Sequence, residues 1–515
     1  MTRKSEIRPY HAPVWSEPLI MEMGAPGRRG NHPPLSEGAI AGVGRADELL
    51  PPGVRRSAPP RLPENSEPDV LHHYVRLSQQ TLGMIGVSLF GTCTMKYNPR
   101  VNEEIAARPY VAELHPEQPV QTLQGALAAL HGLNGILCGL SGMDQFTFQA
   151  AGGADAAYLF TCLARAYHAS RGEGAQRREI ITSLQSHPCN PATADAAGYE
   201  VITLPLGPDG YPTLDSLKAA VSERTAALMI NNPDDMGVYN PQITEWVRIV
   251  KEAGGLCFYD HANFNGVMSK IRARDLGFDA CMFMLHKTFG VPKGGGGPAV
   301  GAFGCVDELK PFLPGPLVVE RGGVFDLEQP PQSLGRVREY LGNVHQVIKA
   351  YGWARAMGEE GFAEASDMSV LLNNYMEKRL LEIRGVTRSH ADQPGWRMEM
   401  TRYSLETLFE ETGVSVMDVQ NRMADFGVDA FWLSHEPWIV PHPFTPEAGE
   451  MWSREDVDYW INVLAKVCEE AYESPELVKS APHNQAIGPL VTAEELEDPA
   501  RWAMTWRAYE RKHGG

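Results

Sequence analysis

Two hydrophobic rhythms alternate along the middle of the chain. Short apolar, β-rich runs are DQFTFQA (144–150), REIITS (178–183), YEVITLPL (199–206), TAALMINN (225–232), LCFYDHA (256–262) and ACMFMLHK (280–287). Between them lie stretches with helical spacing: ADAAYLFTCLARAYHAS (154–170), ATADAAG (192–198), LDSLKAAVSE (214–223) and ITEWVRIVKEAG (243–254). Strands that alternate with helices on this scale predict a mostly parallel sheet covered by helices on both faces. Ligands of such sheets sit in the loops at the carboxyl ends of the strands. Ahead of the alternation, VLHHYVRLSQQ (70–80) reads as a helix, and GTCTMKYNPRVNEEIAA (91–107) as a turn-rich loop that starts another. LQGALAALHGLNGILCGLSG (123–142) is a further helix that ends on a glycine C-cap. After Gly297 the alternation stops. The long helical pattern at 338–380 then leads into a second, α+β domain.

The first sixty-odd residues differ in kind. GAPGRRGNHPP (24–34) and LLPPGVRRSAPPRLPENSEP (49–68) are rich in Pro, Gly and Arg, and proline blocks helix and sheet interiors. This segment predicts an extended arm, and its apolar residues Trp15, Leu19, Ile20 and Met21 suggest that it lies on another surface. The expected divisions are therefore 1–69, an arm; 70–340, a large domain; and 341–515, a linking helix and small C-terminal domain.

Composition narrows the class. At 515 residues the chain can bury a large core, and 21% charged against 43% hydrophobic residues is a soluble globular balance. No 18-residue apolar run predicts a membrane span, and the N-terminus lacks the apolar stretch of a secretory signal, so a cytoplasmic location is expected. Lys and Arg number 46 against 64 Asp and Glu, a net charge of −18 that disfavours nucleic acid and anionic membranes as partners. Eight scattered cysteines without CxxC spacing argue against a disulfide framework or a zinc ribbon. A large intracellular enzyme or assembly subunit remains.

Four local signals carry chemistry. Lys287 ends an apolar strand within His286-Lys287-Thr288, and a buried, desolvated lysine amine is the nucleophile that Schiff-base chemistry needs; a lysine snorkelling past the strand end is the plainer alternative. Asp260 ends another apolar run, where a carboxylate beside a pyridine nitrogen would keep it protonated, and the small Ala262 would let a ring approach the backbone. The alternative is an N-cap. Gly152-Gly153-Ala154-Asp155 forms a small-residue turn at a helix N-terminus, a ready phosphate site. His187, in the loop Ser-His-Pro-Cys-Asn-Pro, could stack on a planar cofactor, could be a solvated loop histidine, or could form a nucleophilic pair with Cys189.

Phosphate turn, loop histidine, strand-end aspartate and His-Lys stand in the chain order of fold-type I pyridoxal phosphate enzymes. More specifically, the sequence resembles the glycine-cleavage P-protein, in the second-subunit form of two-subunit bacterial systems. The resemblance rests on GTCTMKYNPRVNE (91–103), ELHPEQPVQTLQGAL (113–127), YDHANFN (259–265), LHKTF (285–289) and PKGGGGP (292–298), with MEMGAPGRRG (21–30) in the arm and AYESPELVKSAP (471–482) near the end. It implies a decarboxylase that takes CO2 from glycine and passes the aminomethyl group to a lipoyl protein. Its cofactor would be pyridoxal 5'-phosphate, tethered by Lys287. It also implies Asp260 on the ring nitrogen, His187 on the ring face, His286, Thr288 and Asn190 around the cofactor, and a homo-oligomer or a pairing with a related first subunit.

Departures from the family cluster where substrate should lie. The family's Ala-His-Gly-Glu reads Ala154-Asp155-Ala156-Ala157, its Pro-His reads Pro292-Lys293, and its His-Gly-Thr-Asn-Pro reads His187-Pro188-Cys189-Asn190-Pro191. In the C-terminal region Met-His-Glu becomes Arg397-Met398-Glu399-Met400, and Glu-Pro-Thr-Glu becomes Phe444-Thr445-Pro446-Glu447-Ala448. Asp155, Lys293, Cys189 and Asn263 are accordingly the candidate substrate residues, with Asp155 and Lys293 expected either to be a compensated pair or both to address a polar substrate that is not glycine. A pyridoxal phosphate enzyme acting on another amino acid or amine, or a structural subunit, are the alternative readings of these departures.

Overall fold

The computed structural model describes residues 6–8, 10–30, 49–58, 62–81, 87–89, 98–292, 299–428, 433–435, 438–486, 488 and 505–513. Helices α1 (Glu67–Thr81), α2 (Arg100–Ala106), α3 (Pro109–Ala112) and α4 (Gln124–Ser141) precede the first strand. The predicted glycine cap of α4 is present: Gly142 takes φ 74°, a left-handed conformation that costs glycine little, and its N–H closes on Cys138 O. The strands β1 (Gln145–Ala150), β2 (Glu179–Ser183), β3 (Glu200–Leu204), β4 (Thr225–Asn231), β5 (Leu256–His261) and β6 (Ala280–Met284) then follow, as the apolar runs predict. Between them lie α5 (Gly153–Ser170), α6 (Cys189–Ala196), α7 (Leu214–Ala220) and α8 (Ile243–Glu252). Strands β4, β5 and β6 are buried along their whole length, the pattern of a sheet covered on both faces.

The alternation does not stop where the sequence pattern does. β7 (Gly301–Cys305) inserts between β1 and β6, giving the order β1-β7-β6-β5-β4-β2-β3, with β7 antiparallel to both neighbours. GAFGC lacks a hydrophobic rhythm because its glycines serve close packing: a Cβ on Gly304 would stand 2.3 Å from the Phe146 ring, and one on Gly301 2.4 Å from Gly152 O. The remaining strands run parallel, so their carboxyl ends share one edge. A hairpin of β8 (Leu317–Arg321) and β9 (Val324–Glu328) follows.

Helix α9 (Val344–Leu380) joins two cores and is broken at Gly358. Its first half contributes Val347, Ala350 and Trp353 to the core around the seven-stranded sheet. Its second half contributes Leu372, Met376 and Leu380 to a C-terminal core. That core also holds α10 (Glu406–Thr412), α11 (Val416–Ala424), α12 (Arg454–Glu473) and a small sheet of β10 (Thr387–Arg388), β11 (Tyr403–Ser404) and β12 (Pro443–Phe444). The arm lies on other surfaces. Of the expected apolar anchors Leu19, Ile20 and Met21 are half-buried and Trp15 is exposed; Glu17 adds contacts with His73 and Arg76 of α1, and the Ala12 N–H donates to Asn484 O. Among the described residues no helix is long and apolar enough to cross a membrane, and seven cysteines are free.

Candidate active site

Parallel strands deliver their C-terminal residues to one edge, and there β5 and β6 place the two strongest candidates. Lys287 is 5% exposed in the turn after β6, its N–H on Met284 O. Asp260 is 1% exposed; Oδ1 accepts the Ala262 N–H at 2.9 Å, and Oδ2 accepts the Asn190 amide at 3.2 Å. Burial pushes Asp260 from the ordinary 3.8 to about 6, against the opposing effects of the Ala262 N–H, the charge of Lys287 and the Asn190 amide. Asn190 reaches it from the first turn of α6, where it is fully buried. Ala262 is buried beside it, as are His286 and Thr288 beside Lys287.

The turn expected to take phosphate is built from close approaches. Gly152 precedes α5, and a Cβ there would enter open space; one on the buried Gly153 would stand 1.9 Å from Met284 Cε. The first N–H groups of α5, including those of Gly153 and Ala154, lack intrahelical partners, as at any helix start. Among the described residues, Asp155 Oδ2 takes Arg338 Nε at 2.9 Å and the Ala151 N–H at 3.1 Å, so the segment before α9 supplies a cation to a carboxylate at this turn. Lys293 and the tetraglycine lie outside the described residues.

On the loop after β2, His187 Nδ1 accepts the Cys189 N–H at 3.1 Å, and its ring meets His435 edge-to-face at 4.5 Å between centroids. Burial, then the charge of Asp260, push the Cys189 thiol well up. A Cys–His nucleophile requires the reverse, so that pairing is not supported. Asn263 commits its amide N–H to Asp235 Oδ1 at 2.9 Å.

A second polar group closes the site from the C-terminal domain, and sequence reasoning missed it. The loop after β4 carries Asp234 and Asp235. Asp234 accepts the N–H groups of Met236 and Val238, both at 2.9 Å, and the Gln185 amide at 3.1 Å, yet burial raises it to about 6. Asp235 bridges Asn231 and Asn263. Opposite them, Arg402 is 2% exposed; its Nε donates to Thr445 Oγ1 at 3.0 Å, and Nη2 has no partner among the described residues. Desolvation lowers the Arg402 pKa, and the charges of Asp235 and Asp234 oppose that shift. Glu399, fully buried three residues earlier, is raised by burial and by Glu447. The pair Asp234-Asp235 had a findable signal, carboxylates closing an apolar strand as Asp260 does. Arg402 had none beyond its place beside the Arg397–Met400 departure.

These residues fit a planar, anionic pyridine cofactor. Asp260 is a carboxyl whose burial is not offset, Thr288 Oγ1 is buried with no partner among the described residues, and the space over Gly152 is open beside a helix N-terminus. Sheet order, strand-end lysine and buried aspartate define a fold-type I, pyridoxal-phosphate-dependent enzyme.

The aminotransferase class-V family model matches residues 156–423. The "Probable glycine dehydrogenase (decarboxylating) subunit 2" of Thermococcus onnurineus is 42% identical over 499 residues, covering 96% of this chain and 97% of that protein. The protein of the same name from Pyrococcus abyssi is 40% identical over 505 residues, covering 97% and 98%. Among solved structures, glycine decarboxylase (P-protein) of the glycine cleavage system, in inhibitor-bound form, superposes with a TM-score of 0.71 at 22% identity over 85% of this chain and 100% of that one, a likeness of fold. The chain belongs to the family of glycine dehydrogenase (decarboxylating) subunit 2 proteins.

Proposed function

We propose that this chain is the cofactor-bearing subunit of a glycine decarboxylase, which releases CO2 from glycine and passes the aminomethyl group to a lipoyl protein. The name "subunit 2" of its relatives supports a companion first subunit. The reading rests chiefly on Lys287 and Asp260, two buried ionisable groups at adjacent strand ends, with the charge of Lys287 acting on Asp260 against its burial.

When bound, pyridoxal phosphate supplies an electron sink for the pair left behind as the carboxyl group departs. The chain's own residues hold and orient. Lys287 Nζ would tether the aldehyde carbon. Asp260, aimed by Asn190 and the Ala262 N–H, would keep a proton on the ring nitrogen, and that cation offsets the burial that raises Asp260 alone. The N–H groups at the start of α5 and Thr288 Oγ1 would take the phosphate. His187 would cover the ring face. Arg402, fixed at Nε by Thr445, would receive the glycine carboxylate at Nη2 and hold it against the dry seam between the domains.

Two measurements test this. Borohydride treatment of the holoenzyme should fix pyridoxal on Lys287; a mapped adduct on another lysine ends the assignment. With companion subunit and lipoyl protein present, glycine should exchange its carboxyl carbon with labelled bicarbonate. No exchange, together with a spectral response to another amino acid, would overturn glycine as substrate.

A further inference from the structure

Two unlike charges stand in the seam without pairing. Asp235, on the loop after β4, is buried, and its Oδ1 accepts two amides, Asn231 at 3.1 Å and Asn263 at 2.9 Å. Asn231 ends β4 and pairs in register with Asp260, so the Asp235 carboxylate is held across the ends of β4 and β5. Among the described residues nothing donates to its Oδ2. Arg402 is the counterpart: Thr445 holds Nε, and Nη2 has no partner among the described residues. The charge of Asp235 acts on Arg402, as it does on Asp260 and Cys189, yet the two form no ion pair. The neighbouring acids are otherwise engaged. Asp234 has both oxygens occupied, by the Met236 and Val238 N–H groups and the Gln185 amide, and burial with Glu447 keeps the proton on Glu399. A buried carboxylate and a buried guanidinium, each fixed at one atom and open at another, are costly unless something bridges them.

We propose that Asp235 binds the ammonium group of the substrate while Arg402 takes its carboxylate, so that the pair recognises an α-amino acid as a zwitterion before its nitrogen reacts. The inference rests on the role given to Arg402 above and adds the residue that reads the amino end. A zwitterion supplies a donor to Asp235 Oδ2 and an acceptor to Arg402 Nη2, and its arrival leaves the net charge of the seam unchanged.

The test uses borohydride-reduced holoenzyme, in which the cofactor is fixed and cannot exchange with an amine, and measures the binding of glycine and of acetate by titration calorimetry. Acetate keeps the carboxylate and lacks the ammonium, so the wild type should prefer glycine. Asp235→Asn keeps an oxygen for the amides of Asn231 and Asn263 and puts an N–H donor where Oδ2 stood. It should weaken glycine about ten- to hundredfold, the range of one hydrogen bond to a charged group, and leave acetate no weaker than in the wild type. Arg402→Gln should weaken both ligands. Wild-type glycine affinity in Asp235→Asn, or equal losses of glycine and acetate, would overturn the proposal while leaving Arg402 in place. A wild type that binds acetate as tightly as glycine would do the same. If acetate binding survives Arg402→Gln unchanged, the role of Arg402 falls, and the zwitterion site with it.

Discussion

A carboxyl that is buried and answered only in part prefers its proton, and two aspartates at this site, Asp260 and Asp234, are each raised from 3.8 to about 6. Between about pH 4 and 6 the folded, cofactor-free protein holds protons that the unfolded chain has released, so these groups make stability fall as pH rises through that window and level off above it. Asp260→Asn removes one of the two steps. The cofactor-free variant should be more stable than wild type at pH 7, by up to about 3 kcal/mol, while turnover of the loaded enzyme drops by several orders of magnitude. Urea titrations at pH 5 and pH 7 check the stability half, and a variant less stable at pH 7 contradicts it. The neighbouring thiol gives a second test. Because burial and Asp260 hold Cys189 protonated, Cys189→Ser should leave activity largely intact and His187→Ala should not; the opposite ranking in a steady-state assay would restore the thiol as nucleophile. Asp260 and Lys287 were legible because a charge that ends an apolar run is a local anomaly. Arg402 was not, since what surrounds it comes from far along the chain, Asp234 and Asp235 from the loop after β4 and Thr445 from beyond the helices that follow it.

At the scale of elements, the turn proposed to take phosphate depends on two strands that the hydrophobic rhythm treats unequally. β6 announces itself as ACMFM; β7, five residues of which two are glycine, does not. Yet β7 carries the tighter constraint. A Cβ on Gly301 would meet the backbone of Gly152, with O at 2.4 Å and C at 2.9 Å, whereas a Cβ on Gly153 would meet the far end of the Met284 side chain. Backbone cannot rotate away, and a thioether can. Gly301→Ala should therefore displace the turn, weakening pyridoxal phosphate at least about tenfold and costing about 1–3 kcal/mol of stability. Gly153→Ala should cost less on both counts. Fluorescence titration with the cofactor decides, and equal losses would mean that the turn is not held from β7. Periodicity reads what a strand buries against its faces. It is blind to a strand whose residues are small because another backbone crosses it.

At the scale of the whole molecule, the site is a seam. The loop after β4 takes the Met398 N–H on Gly237 O at 2.9 Å, and α9 holds the same C-terminal segment through Asn373 on Met398 O and Asn374 on Arg397 O, both at 2.8 Å. Gly237 has φ +77°, and a Cβ there would stand 1.8 Å from Met400 O, so no other residue lets the two backbones meet. If this contact is what presents Arg402 to the substrate, two substitutions of different kinds should share one kinetic signature. Arg402→Gln removes the proposed carboxylate partner and should raise KM for glycine about a hundredfold or more, while the visible absorbance of the bound cofactor stays. Gly237→Ala touches no ligand, yet by opening the seam it should raise KM in the same direction and also lower stability by about 2 kcal/mol or more. A Gly237→Ala enzyme with unchanged KM would show that Arg402 is held without the loop. An Arg402→Gln enzyme that loses its visible absorbance and keeps its KM would move the guanidinium from the substrate to the cofactor.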